Sequence, residues 1–138
     1  LVVVSCGGSP FDINMIQAHK ALDAASKVCF DGGTILFLAE CSEGLGRTDF
    51  LDWFEADHSR ALAERLCEKY QVNGQTAFSL LQKTERFDVA ITTSLPDDVI
   101  GKMRFRRAGN LAAEIEKAAQ SLSGYIIPNG AKLNFRLT

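Results

Sequence analysis

Short, β-rich apolar runs alternate with segments of helical period along this chain, and that alternation constrains its fold more than any other feature. It is the pattern of successive βα units, which build a mostly parallel sheet. The first run is Val2–Ser5. The second, Thr34–Ala39, is apolar at alternate and intervening positions alike, as a central parallel strand buried on both faces requires. Phe87–Thr93 and Tyr125–Ile127 read as further strands, Met103–Arg106 as a short one and Leu133–Leu137 as an edge piece. Strand order is not legible from the pattern.

Between these runs, Asp12 is placed to cap a helix reaching about Val28, and Asp49 to cap a short helix holding Trp53 and Phe54. A helix starting near Asp57 or Ser59 carries Leu62, Leu66 and Cys67. Asn73 is placed to cap the next, with Ala77, Phe78, Leu80 and Leu81 inward, and Asn110 to cap one reaching about Leu122. The 138 residues suit one domain rather than two. The expected fold class is therefore a single α/β domain, Rossmann-like, with a mostly parallel sheet flanked by helices.

Several functions are disfavoured at once. A formal net charge of −2 gives no electrostatic reason to expect nucleic acid or an anionic membrane as partner. The longest apolar run is about five residues, too short to span a bilayer. Leu1–Val4 lacks the basic region of a secretory signal and enters a strand with no preceding loop, so the expectation is a domain of a larger chain whose N-terminal part lies elsewhere. Cys6, Cys29, Cys41 and Cys67 show no C-x-x-C spacing and read as reduced thiols of a cytoplasmic protein. With His19 and His58 the only histidines, and no ligand cluster around them, no metal site is expected on this chain.

In open α/β sheets, ligands collect beyond the carboxyl ends of the strands. Parallel strands would bring Ser5–Asp12, Glu40–Thr48, Thr92–Asp97 and Pro128–Gly130 to that edge. Cys6-Gly7-Gly8-Ser9-Pro10-Phe11 lacks the third glycine of a dinucleotide fingerprint, as does Gly44-Leu45-Gly46, and no phosphate-loop motif occurs. In the first helix, Met15, Ala18, Leu22, Ala25 and Cys29 form an apolar stripe, with Lys20, Asp23 and Lys27 opposite. Ile16 falls among the polar positions, which implies that something covers the first turns.

Gln17 and Lys20 are three residues apart and project over neighbouring patches toward the helix start. An amide and a cation there suit a small carboxylate or a carbonyl oxygen. By pattern alone, however, Lys20 reads as a solvated surface lysine. His19 reads as structural, because local spacing places no carboxylate or thiol beside it. Cys6 before two glycines resembles a nucleophile turn but has no identifiable base. Trp53 and Phe54 read as packing residues, and the Lys102–Arg107 run reads as a strand with one solvated basic face, phosphate or partner binding being the lesser alternative.

Taken as a set, Ser5–Asn14 with Gln17-Ala18-His19-Lys20-Ala21-Leu22, then Gly32–Ile35, Ala39–Gly46, Ser94-Leu95-Pro96, Lys102-Met103 and Ile127–Gly130, resemble the C-terminal domain of the nickel-dependent lactate racemase family over nearly the whole chain. The resemblance implies that residues 1–138 are the C-terminal α/β domain of a racemase or epimerase of lactate or a related 2-hydroxy acid. It implies a nickel pincer nucleotide in the full-length parent, bound mainly by an N-terminal domain that also supplies paired acid–base histidines. The implied partners are that N-terminal domain and the small hydroxy acid, with no cofactor on this chain alone. By motif position the substrate-binding residues are Gln17 and Lys20, and Lys20 carries the catalytic role of holding negative charge. Near Asn73, family members often carry a bulky or aromatic side chain. Here Gly74-Gln75-Thr76 departs from that, which widens the substrate from lactate to 2-hydroxy acids generally. The alternative is a noncatalytic α/β module that binds a small molecule or a protein partner.

Overall fold

A computed structural model describes residues 1–119 and 123–133. Five strands form one parallel sheet: β1 (Val2–Ser5), β2 (Thr34–Leu38), β3 (Asp88–Thr92), β4 (Arg106–Arg107) and β5 (Tyr125–Ile127). Their spatial order is β4-β3-β2-β1-β5. Val2 aligns with Ile35 on one side and Tyr125 on the other, so β1 lies inside the sheet and β5 at one edge.

The helices are α1 (Met15–Ser26), α2 (Ser59–Glu68), α3 (Val72–Arg86), α4 (Asp97–Lys102) and α5 (Leu111–Ala119), with tight 3₁₀ segments at Phe50–Glu55 and Gly130–Lys132. The alternation of strand side chains sorts them into two layers. Val2, Val4, Ile35, Phe37, Val89 and Ile91 face the main core with the inner sides of α1 and α3. Val3, Leu36 and Ala90 face a smaller core reached by Leu111 and Ile115 of α5. The chain thus steps from β1 to β4 in one direction, then crosses the opposite face through α5 to place β5 beside β1. The strand order reverses at β1, the position where open α/β sheets form their ligand crevice.

The stripe expected on α1 is confirmed: Met15, Ala18, Leu22 and Ala25 are fully buried, and Cys29 is half-buried beyond the helix end. Val2–Ser5 and Tyr125–Ile127 match their expected limits. Asn110 accepts from the Ala112 and Ala113 amides, capping α5 as expected. The expected ends of that helix near Leu122 and of the Leu133–Leu137 strand lie outside the described residues.

Other local expectations are corrected. Asp12 does not cap α1; Asn14 does, its side-chain oxygen accepting from the Gln17 amide at 3.0 Å. His58 caps α2 through Nδ1, which accepts from the Ala61 amide. Asp49 pairs with Arg47 instead of capping, and α3 begins at Val72, ahead of Asn73. The Met103–Arg106 segment is mostly the exit from α4, a helix begun by Pro96-Asp97-Asp98, and only Arg106–Arg107 pair with β3.

Candidate functional site

Beyond β1 the chain makes a glycine turn and then doubles back inward. The Ser5 hydroxyl accepts from the Gly7 amide at 3.1 Å, and Phe11 donates to the Gly8 carbonyl at 2.9 Å. Asp12 is turned into the protein and is only 9% exposed. Its backbone carbonyl accepts from Cys41 at 2.8 Å and its carboxylate from the Glu40 amide at 3.4 Å. Glu43 donates to the Ile13 carbonyl at 2.8 Å, so the loops after β1 and β2 are stitched together.

That stitching decides what the start of α1 can do. Met15 donates to the Gly44 carbonyl and Ile16 to the Leu45 carbonyl, while Gln17 and Ala18 donate to Asn14. The first-turn amides are therefore engaged within the protein, and a ligand here must be received by side chains. The same contact accounts for Ile16. It is half-buried against the main core beside the Leu45 loop, so this chain supplies its own cover for the first turn.

Gln17 and Lys20 are both exposed, and the Lys20 ammonium donates to Gln17 Oε1 at 2.8 Å. They line a cleft of about 360 Å³ with Pro10, Phe11, Ile13 and Asn14, at the carboxyl end of β1. An ammonium can only donate, so this bond fixes the Gln17 amide with its NH2 group away from Lys20. The pair therefore leaves the Gln17 NH2 group and the remaining Lys20 N–H bonds free to receive an anionic oxygen. The Lys132 ammonium stands 4.6 Å over the ring of Phe11, one of these lining residues.

The model of the family described as the lactate racemase C-terminal domain matches residues 1–133. The chain belongs to this family. A lactate racemase from Thermoanaerobacterium thermosaccharolyticum is 42% identical over 55 residues, covering 40% of this chain and 13% of that protein. The structure of a lactate racemase apoprotein from the same organism superposes with a TM-score of 0.83 at 26% identity, over 99% of this chain and 35% of that one. A Thermotoga maritima protein shares the fold alone, with a TM-score of 0.59 at 17% identity, over 94% of this chain and 34% of that one. The chain thus spans about a third of the length of the solved structures it matches.

Within this lactate racemase C-terminal domain, the other candidate residues have structural roles. The Cys6 thiol is buried and sits 3.7 Å from the Ala18 carbonyl. Burial, then the charge of Asp12 and then Cys41, push its pKa up to about 12, the reverse of what a nucleophile needs. His19 Nδ1 lies 2.6 Å from the Ile16 carbonyl. Burial lowers its pKa and outweighs the bond to Ile16 and the charge of Asp23, so the ring is held neutral as a helix-packing group.

Asp23, expected on the solvated side, instead pairs with the buried Lys83 of α3 at 2.5 Å, and Lys83 also donates to Ser79 Oγ at 2.5 Å. The three arginines of the basic run are engaged within this chain. Arg106 bridges Asp88 and Glu114, Arg107 pairs with Asp97, and Arg104 donates to the Ala56 carbonyl. Trp53 and Phe54 are buried as expected, and a Cβ on Gly74 would lie 2.6 Å from Leu66 and 2.9 Å from Trp53. The glycine that departs from the family pattern is thus a close-packing point between α3 and the Trp53 segment.

Among the described residues, no group of three or more His, Cys, Asp or Glu side chains could hold a metal ion. The donor set of these described residues does not fit a nickel centre. Sequence reading missed three features: the orientation of the Gln17 amide, the Asp23–Lys83 pair, and Lys132. The cap had a signal, since Asn14-x-x-Gln17 has capping-box spacing. Gln17 uses its oxygen on Lys20 rather than turning back to the helix start. Lys132 had no local signal, because only β5 returning beside β1 brings it to Phe11.

Proposed function

We propose that this chain is the C-terminal domain of a cytoplasmic racemase or epimerase of lactate or a related 2-hydroxy acid, and that Gln17 and Lys20 receive the substrate's acid end. The observation that carries the reading is the 2.8 Å Lys20–Gln17 bond, which sets N–H donors at the cleft beyond β1 in a family domain matched over residues 1–133. In the parent, a nickel pincer nucleotide held by the N-terminal domain would supply hydride transfer at the α-carbon. The residues of this chain hold the carboxylate and stabilise negative charge that grows on the substrate oxygens, a task suited to a fixed cation and an oriented amide.

No helix of the described residues is long and apolar enough to cross a membrane. The partners under this reading are the parent's N-terminal domain and the small hydroxy acid.

The test is racemisation by the parent protein, with thermal melting in parallel. Lys20 is exposed, so Lys20→Ala costs at most about 0.5 kcal/mol of stability. Losing a charge-stabilising donor costs on the order of 3 kcal/mol in the barrier, roughly a hundredfold in rate. Lys20→Arg is also impaired, because a wide planar cation cannot occupy the same point. Gln17→Glu replaces the outward donor with a carboxylate that pairs with Lys20 and repels the substrate. Near-normal turnover by Lys20→Ala would remove this role and favour a noncatalytic binding module.

A further inference from the structure

The cleft beside α1 holds more hydrogen-bond donors than one carboxylate can use. Asn14 Oδ1 accepts from the Gln17 amide, which leaves the Asn14 NH2 group free to donate elsewhere. Gln17 Oε1 is spent on Lys20, which does the same for the Gln17 NH2 group. Lys20 keeps two N–H bonds after that contact. The lining residues Asn14, Gln17 and Lys20 thus offer six N–H donors, against about four acceptor positions on a carboxylate. None of the cleft's lining residues is an aspartate or glutamate. Lys132 is not among the lining residues, but its ammonium stands 4.6 Å over the ring of Phe11, which is.

The Lys132 placement comes from the fold. Gly130 packs so closely that an added Cβ would lie 2.6 Å from Val4 and 3.0 Å from Ala21, which seats Gly130–Lys132 on α1. A ring face holds the ammonium by cation–π attraction while leaving its N–H bonds open to an anion. Among the described residues Lys132 makes no ion pair within this chain.

We infer that Lys132 is a specificity-determining residue that receives a second carboxylate, so that the substrate is a 2-hydroxy dicarboxylic acid. The inference rests on Gln17 and Lys20 receiving the first carboxylate. Asn14 and Lys132 then take the second, at the Phe11 side of the cleft. A hydroxy acid with an apolar far end would leave Lys132 and the Asn14 amide without an anionic partner.

The experiment measures equilibrium binding to the parent protein of two hydroxy acids of equal carbon number, one with a methyl and one with a carboxylate at the far end. The diacid is expected to bind about two- to fivefold more tightly, with the advantage shrinking as salt is raised. Lys132→Gln brings the diacid-to-monoacid ratio to about one, and Lys132→Arg restores it. Lys27→Gln, which removes an equal charge from the exposed end of α1, keeps the wild-type ratio. No diacid preference, a preference surviving Lys132→Gln, or one lost equally in Lys27→Gln would each overturn the inference. Lys132-dependent diacid binding without racemisation would uphold it while removing the proposed activity. Binding of neither acid would overturn both.

Discussion

Replacing Gly7 with alanine probes how the two loops at the strand-order reversal hold each other. Gly7 has φ +100°, and its neighbour Gly8 has φ +76°. An L side chain at either position costs about 1–3 kcal/mol in backbone strain. The positions differ in surroundings. A Cβ on Gly7 would lie 2.6 Å from Asn129 Oδ1, in the loop after β5, whereas a Cβ on Gly8 meets nothing within 4 Å. Asn129 must rotate to admit the methyl, which costs a further ~0.5–1.5 kcal/mol if it leaves its rotamer. Gly7→Ala is therefore expected to destabilise by about 1 kcal/mol more than Gly8→Ala, a difference of roughly 3–5 °C in Tm for a chain of this size. The decisive assay is a double-mutant cycle by urea unfolding. Moving Gly7→Ala into an Asn129→Ala background should recover about 1 kcal/mol, while Gly8→Ala should cost the same in both backgrounds. Additivity at Gly7 within about 0.3 kcal/mol would refute the reasoning that the β1 and β5 loops are in contact there.

The thiols and His19 give two further outcomes. Cys67 is exposed and should be alkylated rapidly near neutral pH, while Cys6 and Cys41, raised by burial to about 12 and about 11, should react only on unfolding. Because those folded values lie above the ordinary 9.0, the stability they contribute is complete below about pH 9 and is lost as pH climbs toward 11 and 12. A Cys6→Ala, Cys41→Ala double variant should lose stability less steeply over that range in alkaline melts. His19 has the opposite sign: its folded value lies below the usual 6.5, chiefly through burial, so its stability is present above pH 6.5 and is lost as acid protonates the folded ring. His19→Gln should flatten the acid limb of a Tm-against-pH curve, and an unchanged limb would place the acid sensitivity elsewhere.

The fold class could be read from the sequence because it depends on local periodicity. Thr34–Leu38 is apolar on both faces because β2 has strands on both sides and helices above and below. Strand order could not be read in this way, since no local pattern records that the chain after α5 crosses back to β1. Helix starts failed where a side chain had a tertiary alternative. Asp12 has the composition of a cap, but its carboxylate reaches the Glu40 amide 28 residues away. Asp23 looked solvated on a helical projection because its partner, Lys83, is on α3.

The site divides in the same way. The i, i+3 spacing of Gln17 and Lys20 was readable, and the structure brings their polar ends to 2.8 Å. Which end of the Gln17 amide meets the cleft was not, because it is set by how Lys20 is used. That orientation carries the main functional consequence. Neither a carboxylate nor an imidazole lines the cleft, and the nearby His19 lies against the Ile16 carbonyl. The cleft's polar groups can bind an anion and stabilise its charge, and none of them is a carboxylate or imidazole, the groups most used as general acid or base. Racemisation of a 2-hydroxy acid requires proton movement at the hydroxyl, so under the proposed function the acid and base must approach from the remainder of the parent. A substrate held only by donors on this side has its hydroxyl available to them. A parent variant in Gln17 or Lys20 should therefore weaken binding and charge stabilisation without moving the pKa values seen in its pH–rate profile. A shift of those values would show that the pair takes part in proton transfer after all.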